Sequence, residues 1–230
     1  PVRNSPKVQE AQSSQLLFGE TFSILEKWEE WLKICTDYDK HTGWVDRKAV
    51  TLLYDEQYAE LMDHPAFLVD SQIAYLEHAD MQFPVVMGSS LPAFNYQEME
   101  LTIADRHFSF QGIYKPIELQ SSRDLIVKNA LRLKGSPYLW GGRSLFGMDC
   151  SGFVQMVFKQ CGFSLARETW QQAGEGMPLA GEEHAEAGDL AFFYNNGGSI
   201  THVGIFLNEG EIIHAHGRVR TDLIDENGIR

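Results

Sequence analysis

Three residues that together support nucleophilic catalysis lie in the C-terminal half of the sequence. Cys150 stands in the run Asp-Cys-Ser-Gly-Phe at residues 149–153, and His202 and His214 follow in two apolar segments, twelve residues apart. A cysteine becomes a nucleophile when a base takes its proton, and the base works best when a second polar group orients it. The sequence therefore predicts that Cys150 is a nucleophile, that His202 is its base and that His214 orients His202.

The segment around Cys150 is typical of a loop that leads into a helix. Glycines interrupt regular structure before Cys150, and an apolar run with interspersed polar residues follows it and ends at Gly162. We expect Asp149 or Ser144 to cap this helix. A cysteine in the first turn feels the positive end of the peptide dipoles and lies next to free N–H groups. The position therefore predicts a lowered thiol pKa and donors for an oxyanion.

The two histidines fall in predicted strands of one hairpin. Residues 201–207 and 211–217 are apolar or alternating, and the Asn-Glu-Gly between them is typical of a turn. Because His202 and His214 have the same parity about the turn, we expect them to be opposite or diagonal on one face. His216 has this parity too, so the pattern also allows a zinc site of three histidines.

Spacing alone also allows a purely structural role for Cys150, because a lone cysteine that opens an apolar helix is more often a buried small hydrophobe than a nucleophile. The linked motifs favour chemistry. Tyr-x-x-Gly-Gly from Tyr138, Asp-Cys-Ser-Gly-Phe, His-Val-Gly-Ile and an apolar-His-Ala motif occur in this order, and the set resembles the NlpC/P60 family of cell-wall cysteine peptidases. The resemblance implies a papain-like α+β domain, the same roles for Cys150, His202 and His214, and Tyr138 beside the oxyanion.

Composition limits the classes of partner. The chain has 230 residues, 43% of them hydrophobic, and a formal net charge of −13. This length suffices for two or three small domains. The negative charge disfavours nucleic acid and anionic membranes, and no apolar run has the length of a membrane span. Three cysteines give no disulfide framework. We expect a monomer that needs no metal or other cofactor.

We predict three domains. Residues 1–60 contain a polar N-terminal arm and a first small β-barrel, residues 61–118 a second β-barrel, and residues 119–230 the catalytic domain. Strands at intervals of eight to twelve residues favour small barrels. The run from Leu17 to Val45 resembles a bacterial SH3 (SH3b) domain, and the second unit resembles a divergent one. Both units are equally compatible with plain spacer barrels.

A helix is predicted to open the catalytic domain. Ser121 and Ser122 are candidate caps, and apolar residues at helical spacing continue to Leu133. This helix delivers the chain to the Tyr138 motif.

The resemblance implies hydrolysis of the bond between γ-D-glutamate and a diamino acid in murein stem peptides. Such a substrate has a free α-carboxylate beside the scissile carbonyl, which needs a cation or donors. Arg167 is the candidate cation and Thr169 the candidate donor. A solvated surface arginine is the alternative interpretation of Arg167.

In the branch of the family with tandem SH3b domains, the resemblance implies dipeptidyl-peptidases that require a free N-terminal L-Ala. The amine would then be held by Asp149 and Ser151, which flank the nucleophile. A Glu and a Tyr of the first SH3b domain would close the pocket, and by position these are Glu20 and Tyr54.

Three hypotheses follow. The chain is a peptidase that releases L-Ala-D-Glu from free murein peptides, or it performs the same chemistry on intact peptidoglycan with the SH3b units as wall-binding modules. The third class is a binding module with a dead site, or an acyltransferase or deamidase on a related core. The sequence begins at Pro1 without Met, which predicts that an upstream segment has been removed. We expect a location in the bacterial cell envelope, periplasmic or secreted.

Overall fold

The structure is a computed structural model that describes residues 1–64, 66–119, 122–179, 181, 184–225 and 228–230. It separates into two compact units. The first consists of Pro1–Ala11 and Gln15–Glu118, and the second of Gln12–Ser14 and Leu119–Arg230. The predicted boundary at residues 60 and 61 lies inside the first unit and stays a prediction.

The N-terminal part of the first unit is built on an antiparallel sheet in the order β1-β5-β4-β3. Val2, Leu32, Ile34 and Val45 form its core. The elements of this part of the chain are β1 (Val2–Arg3), β2 (Gln12–Ser14), β3 (Phe22–Trp28), β4 (Trp31–Thr36), β5 (Thr42–Asp46), a 3-10 turn (Arg47–Ala49) and α1 (Asp55–Met62).

Two features of this region differ from expectation. The predicted polar arm contains β1 and β2, and β2 belongs to the second unit. Helix α1 was not predicted, because it has no buried residue and therefore no apolar stripe in its sequence.

The remainder of the first unit contains two antiparallel sheets, ordered β10-β11-β7-β8 and β12-β6-β9. Their shared core is rich in aromatic rings, with Phe94, Phe110 and Tyr114 in edge-to-face contact. The strands are β6 (Phe67–Val69), β7 (Ile73–His78), β8 (Met81–Val86), β9 (Ser90–Leu91), β10 (Glu100–Ile103), β11 (Arg106–Gln111) and β12 (Tyr114–Pro116). The likeness of this part to an SH3b domain stays a prediction.

The second unit packs helices against an antiparallel sheet ordered β15-β16-β17-β18-β19. Its elements are α2 (Arg123–Arg132), β13 (Arg143–Ser144), β14 (Gly147–Met148), α3 (Cys150–Lys159), α4 (Thr169–Gln172), β15 (Leu190–Tyr194), β16 (Ile200–Asn208), β17 (Glu211–His216), β18 (Arg218–Asp225) and β19 (Gly228–Ile229). The side chain of Ser122 caps α2, while the other candidate cap, Ser121, lies outside the described residues.

Helix α3 lies at the centre of the second unit, because buried residues occur on all of its sides. Phe153, Val154, Met156 and Val157 are almost completely buried, and the helix packs against α2, β16 and β17. Burial of each of these side chains contributes about 1.5–3 kcal/mol relative to exposure. The predicted cap is confirmed, because Asp149 accepts a hydrogen bond from a backbone N–H of the first turn.

Within the described residues, no helix combines the length and the apolar character that a membrane crossing requires.

Candidate active site

Cys150 begins α3 and is 7% exposed. Its sulfur lies 4.0 Å from the hydroxyl oxygen of Thr169, the first residue of α4. The backbone N–H groups of Ser151 and Val203 also donate hydrogen bonds to the sulfur. Because Val203 follows His202 on β16, the sulfur lies beside the strand that carries the predicted base.

The Cys150 thiol is less acidic than the sequence predicted. Burial raises the pKa of Cys150, and the Asp149 carboxylate raises it further. Hydrogen bonds from Thr169, Val203 and Ser151 act in the opposite direction without reversing the shift. The prediction of a lowered pKa is therefore wrong, because removal of water from the sulfur outweighs the hydrogen bonds that stabilise the thiolate. The resting group is a neutral thiol at pH 7, so a base must take its proton during attack.

A chain of hydrogen bonds links the two histidines to an aspartate. His202 Nε2 lies 2.7 Å from His214 Nδ1, and His214 Nε2 lies 2.9 Å from Asp222 Oδ2. Arg220 donates from Nε to the same carboxylate oxygen at 2.7 Å. The predicted contact between the imidazoles is confirmed. Gly204 pairs with His214 across β16 and β17, which makes His202 the diagonal neighbour.

Both central histidines are neutral at pH 7. Burial lowers the pKa of His202 to about 4, with further lowering by His214 and His216. Burial also lowers the pKa of His214, and the hydrogen bond and charge of Asp222 only partly oppose this. A neutral imidazole can accept a proton, so His202 is available as a base across the physiological range.

Tyr138 is half-buried near the nucleophile. Burial raises the pKa of Tyr138 to about 12, and repulsion from Cys150, once ionised, and from Asp149 contributes to the increase. The phenol therefore keeps its proton at neutral pH and can donate it in a hydrogen bond. Its backbone N–H donates to Gly217 O at 3.0 Å, which fixes the residue against the loop after β17.

Arg167 is buried under the N-terminus of α3, with 2% of its surface exposed. Its Nη2 donates to Asp149 Oδ2 at 2.6 Å, its Nη1 to Ser151 Oγ at 2.8 Å and its Nε to Ser14 Oγ at 3.1 Å. Asp149 Oδ2 also accepts from the N–H of Gly141 at 2.8 Å. This network joins the loop before Cys150, helix α3 and strand β2.

Comparison with known proteins identifies the family of this chain. The sequence model of the NlpC/P60 family matches residues 135–230, and that of the bacterial dipeptidyl-peptidase Sh3 domain matches residues 2–50. The chain is 32% identical over 218 residues to the gamma-D-glutamyl-L-lysine dipeptidyl-peptidase of Bacillus subtilis, which covers 88% of this chain and 71% of that protein. The chain belongs to the NlpC/P60 family. Its family and its named relatives identify it as a hydrolase, and an SH3 domain stands at its N-terminus.

Other NlpC/P60 proteins match over different lengths. A bifunctional muramidase/DL-endopeptidase of Bacillus subtilis is 40% identical over 96 residues, which is 40% of this chain and 29% of that protein. The crystal structure of an NlpC/P60 family protein from Bacillus cereus has a TM-score of 0.83 and 23% identity, and the match covers 94% of this chain and 78% of that one. At this identity the likeness shows the fold.

The residues predicted to bind substrate lie in different places. Asp149, Ser151, Arg167 and Thr169 come together beside Cys150, whereas Glu20 and Tyr54 belong to the first unit. Glu20 accepts a hydrogen bond from the N–H of Leu17 at 2.9 Å, and Tyr54 is 81% exposed. The substrate roles of all six residues stay predictions.

Sequence reasoning missed Asp222, Arg220 and Ser14. Asp222 was within reach of the argument used for the histidines. His216 pairs with Arg218 about Gly217, so Asp222 has the parity of His214 and falls on the same face. Ser14 carries no such signal, because its contact with Arg167 joins positions that are far apart in the sequence.

The sequence also allowed a zinc site of three histidines. His202 Nε2 and His214 Nδ1 share a hydrogen bond with each other. His216 stacks on His214 with ring centroids 6.2 Å apart. No group of three His, Cys, Asp or Glu side chains in the described part of the chain is arranged to hold a metal ion.

Proposed function

We propose that this NlpC/P60 protein is a cysteine peptidase that hydrolyses the bond between γ-D-glutamate and a diamino acid in murein peptides with a free N-terminal L-Ala. The products are L-Ala-D-Glu and the remainder of the peptide. One observation carries the proposal: the buried Cys150 thiol adjoins the strand of His202, which is bonded through His214 to Asp222. A related dipeptidyl-peptidase that aligns with most of the chain supports this substrate class.

The catalytic steps follow from the resting protonation states. The Cys150 sulfur attacks the γ-carbonyl of D-glutamate while His202 takes the thiol proton. The Tyr138 hydroxyl and backbone N–H groups of the first helical turn stabilise the oxyanion. His202 then gives its proton to the leaving amine, which releases the diamino acid and leaves a thioester on Cys150. Water, deprotonated by His202, hydrolyses the thioester and restores the thiol.

Two neighbouring residues are proposed to act on the free α-carboxylate of the substrate. Thr169 has a hydroxyl 4.0 Å from the sulfur, which is suitable for a donor beside the scissile bond. Arg167 already donates to Asp149, Ser151 and Ser14. It therefore acts on the substrate carboxylate through its positive charge, and it also holds α3 in position.

The same chemistry on intact peptidoglycan is the second candidate. It is favoured by the endopeptidase relative, whose similarity extends over 96 residues, or 40% of this chain. On this alternative the N-terminal SH3 domain is a wall-binding module. Either activity places the substrate among products or components of the bacterial cell wall, and the envelope location stays a prediction.

Two matched peptides distinguish the candidates: L-Ala-γ-D-Glu-L-Lys with a free amine, and the same peptide with an N-acetyl group. We expect the free-amine peptide to be cleaved at least about 100-fold faster in kcat/KM, because a blocked amine leaves buried polar groups unpaired. Equal cleavage of both would exclude the dipeptidyl-peptidase and favour the wall hydrolase. The variant Cys150→Ser is the control for contaminating activity.

A further inference from the structure

Asp222 has no assigned role, yet it ends the hydrogen-bond chain that starts at the base. Its Oδ2 accepts from His214 Nε2 at 2.9 Å and from Arg220 Nε at 2.7 Å. The His214 side chain is 3% exposed and that of Asp222 is 17% exposed. This contact is therefore largely shielded from water, and the hydrogen bond is electrostatically stronger than it would be on an open surface.

The positions of the protons in this chain follow from the carboxylate. Burial alone would raise the pKa of Asp222, but the hydrogen bond from His214 and the charge of Arg220 bring it below the ordinary value. An ionised carboxylate can only accept, so His214 must carry its hydrogen on Nε2. Neutral His214 then has a lone pair on Nδ1, and His202 must donate from Nε2.

This order of protons leaves Nδ1 of His202 with its lone pair. In a neutral imidazole one nitrogen donates and the other accepts, so a proton on Nε2 makes Nδ1 the base for the thiol. Without an acceptor at Asp222, His214 can donate from Nδ1 instead. His202 would then accept at Nε2 and carry its proton on Nδ1, where it cannot accept one from Cys150.

We propose that Asp222 is a positioning residue that fixes the tautomers of His214 and His202 and thereby makes His202 Nδ1 the catalytic base. Asp222 also stabilises the imidazolium that forms on His202 during attack, because its carboxylate polarises His214, whose Nδ1 accepts the hydrogen bond from His202. Arg220 donates a second hydrogen bond to the same carboxylate oxygen. His216 stacks on His214 but lies outside the chain of hydrogen bonds.

The direct test is ¹⁵N NMR of histidine-labelled protein, which reports which ring nitrogen carries hydrogen. In the natural protein we expect Nε2–H tautomers for both His202 and His214 near pH 7. Asp222→Leu keeps the branched shape and the number of side-chain heavy atoms and removes the acceptor, so we expect a mixed or reversed tautomer for both rings. Asp222→Glu keeps an acceptor, and we expect it to restore the Nε2–H forms.

Two controls separate this role from a general effect of charge. Arg220→Gln removes the cation partner and keeps the carboxylate, so the tautomers should stay unchanged. Asp225→Asn removes a carboxylate of the same strand that pairs with Arg230 outside the chain of hydrogen bonds, and it should change neither the tautomers nor the activity.

The kinetic readout rests on the proposed function, whereas the NMR readout does not. For Asp222→Leu we expect kcat to fall about 10- to 100-fold with KM nearly unchanged, since the carboxylate acts through a second imidazole. Retention of both Nε2–H tautomers in folded Asp222→Leu would overturn the proposal. If Asp222→Leu does not fold, Asp222→Ala removes the acceptor without added volume: loss of these tautomers in Asp222→Ala supports the proposal, and their retention overturns it. Absence of murein hydrolysis by the natural protein would refute the proposed function alone.

Discussion

Arg167 and Asp149 form an ion pair of 2.6 Å whose side chains are 2% and 8% exposed. Asp149 is at once the cap of α3 and the residue before the nucleophile, so the pair connects the stability of the unit to the position of the Cys150 sulfur. A buried charge is tolerated only while its partner and hydrogen bonds remain.

Loss of this cation should destabilise the second unit. Arg167→Met keeps much of the volume but leaves the Asp149 carboxylate buried without its partner, and we expect about 3–5 kcal/mol less free energy of unfolding. Arg123→Met is the matched control, because the Arg123 pair with Asp189 is 47% and 21% exposed, and an exposed pair contributes about 0–1 kcal/mol. Urea denaturation at pH 7 measures both, and equal losses would contradict the assignment.

Gly152 should not tolerate a methyl group. A Cβ at this position would stand 2.2 Å from the carbonyl oxygen of Gly142. Alanine is normally favoured over glycine in a helix by about 1 kcal/mol, but we expect Gly152→Ala to destabilise by about 1–3 kcal/mol through overpacking. Gly176→Ala has no atom within 4 Å of the added carbon, so its change should stay within about 0.5 kcal/mol. Stabilisation by Gly152→Ala would refute the close contact.

The decrease of kcat/KM at acid pH should report the pKa of the base, His202. His202 has a pKa lowered to about 4, so the neutral, active form persists down to that pH and is lost below it. We therefore expect kcat/KM to fall with an inflection near pH 4 rather than near the ordinary histidine value of about 6.5. His216→Gln removes one of the groups that lower this pKa, and the inflection should move to higher pH. An inflection near 6.5 in the natural protein would contradict the buried, neutral base.

The thiol should react slowly with alkylating reagents at neutral pH. Because burial raises the Cys150 pKa, the thiolate fraction is small and the iodoacetamide rate should keep rising with pH beyond the ordinary thiol value of about 8.5. Mass spectrometry of the Cys150 peptide measures the rate, with Cys35→Ser to remove the partly exposed cysteine. A rate that is high and constant from pH 6 to 8 would indicate a preformed thiolate–imidazolium pair.

The sequence was sufficient for features with a local or periodic signal. Asp149 as a cap, the helix from Cys150 and the pairing of His202 with His214 depend on spacing, turn residues and parity, which the chain shows directly. The thiol pKa was predicted in the wrong direction, because it depends on how completely the sheet removes water from the sulfur. That quantity belongs to tertiary packing rather than to the first turn of a helix.

Other features could not be predicted because the residues that make them are remote in sequence. Ser14 meets Arg167 across 153 positions, and no local pattern marks the pair. Asp222 was overlooked although the parity about Gly217 places it on the face of His214. The parity argument therefore applies to the hairpin of β17 and β18 as well as to that of β16 and β17.

The central claim is that Cys150 cleaves the γ-D-glutamyl bond, and product analysis of L-Ala-γ-D-Glu-L-Lys and its diaminopimelate counterpart in H₂¹⁸O tests it most directly. We predict L-Ala-D-Glu with one ¹⁸O in the γ-carboxyl group, a free diamino acid, and no product with Cys150→Ser. Label in the carboxyl of alanine, or equal turnover by Cys150→Ser, would contradict the account.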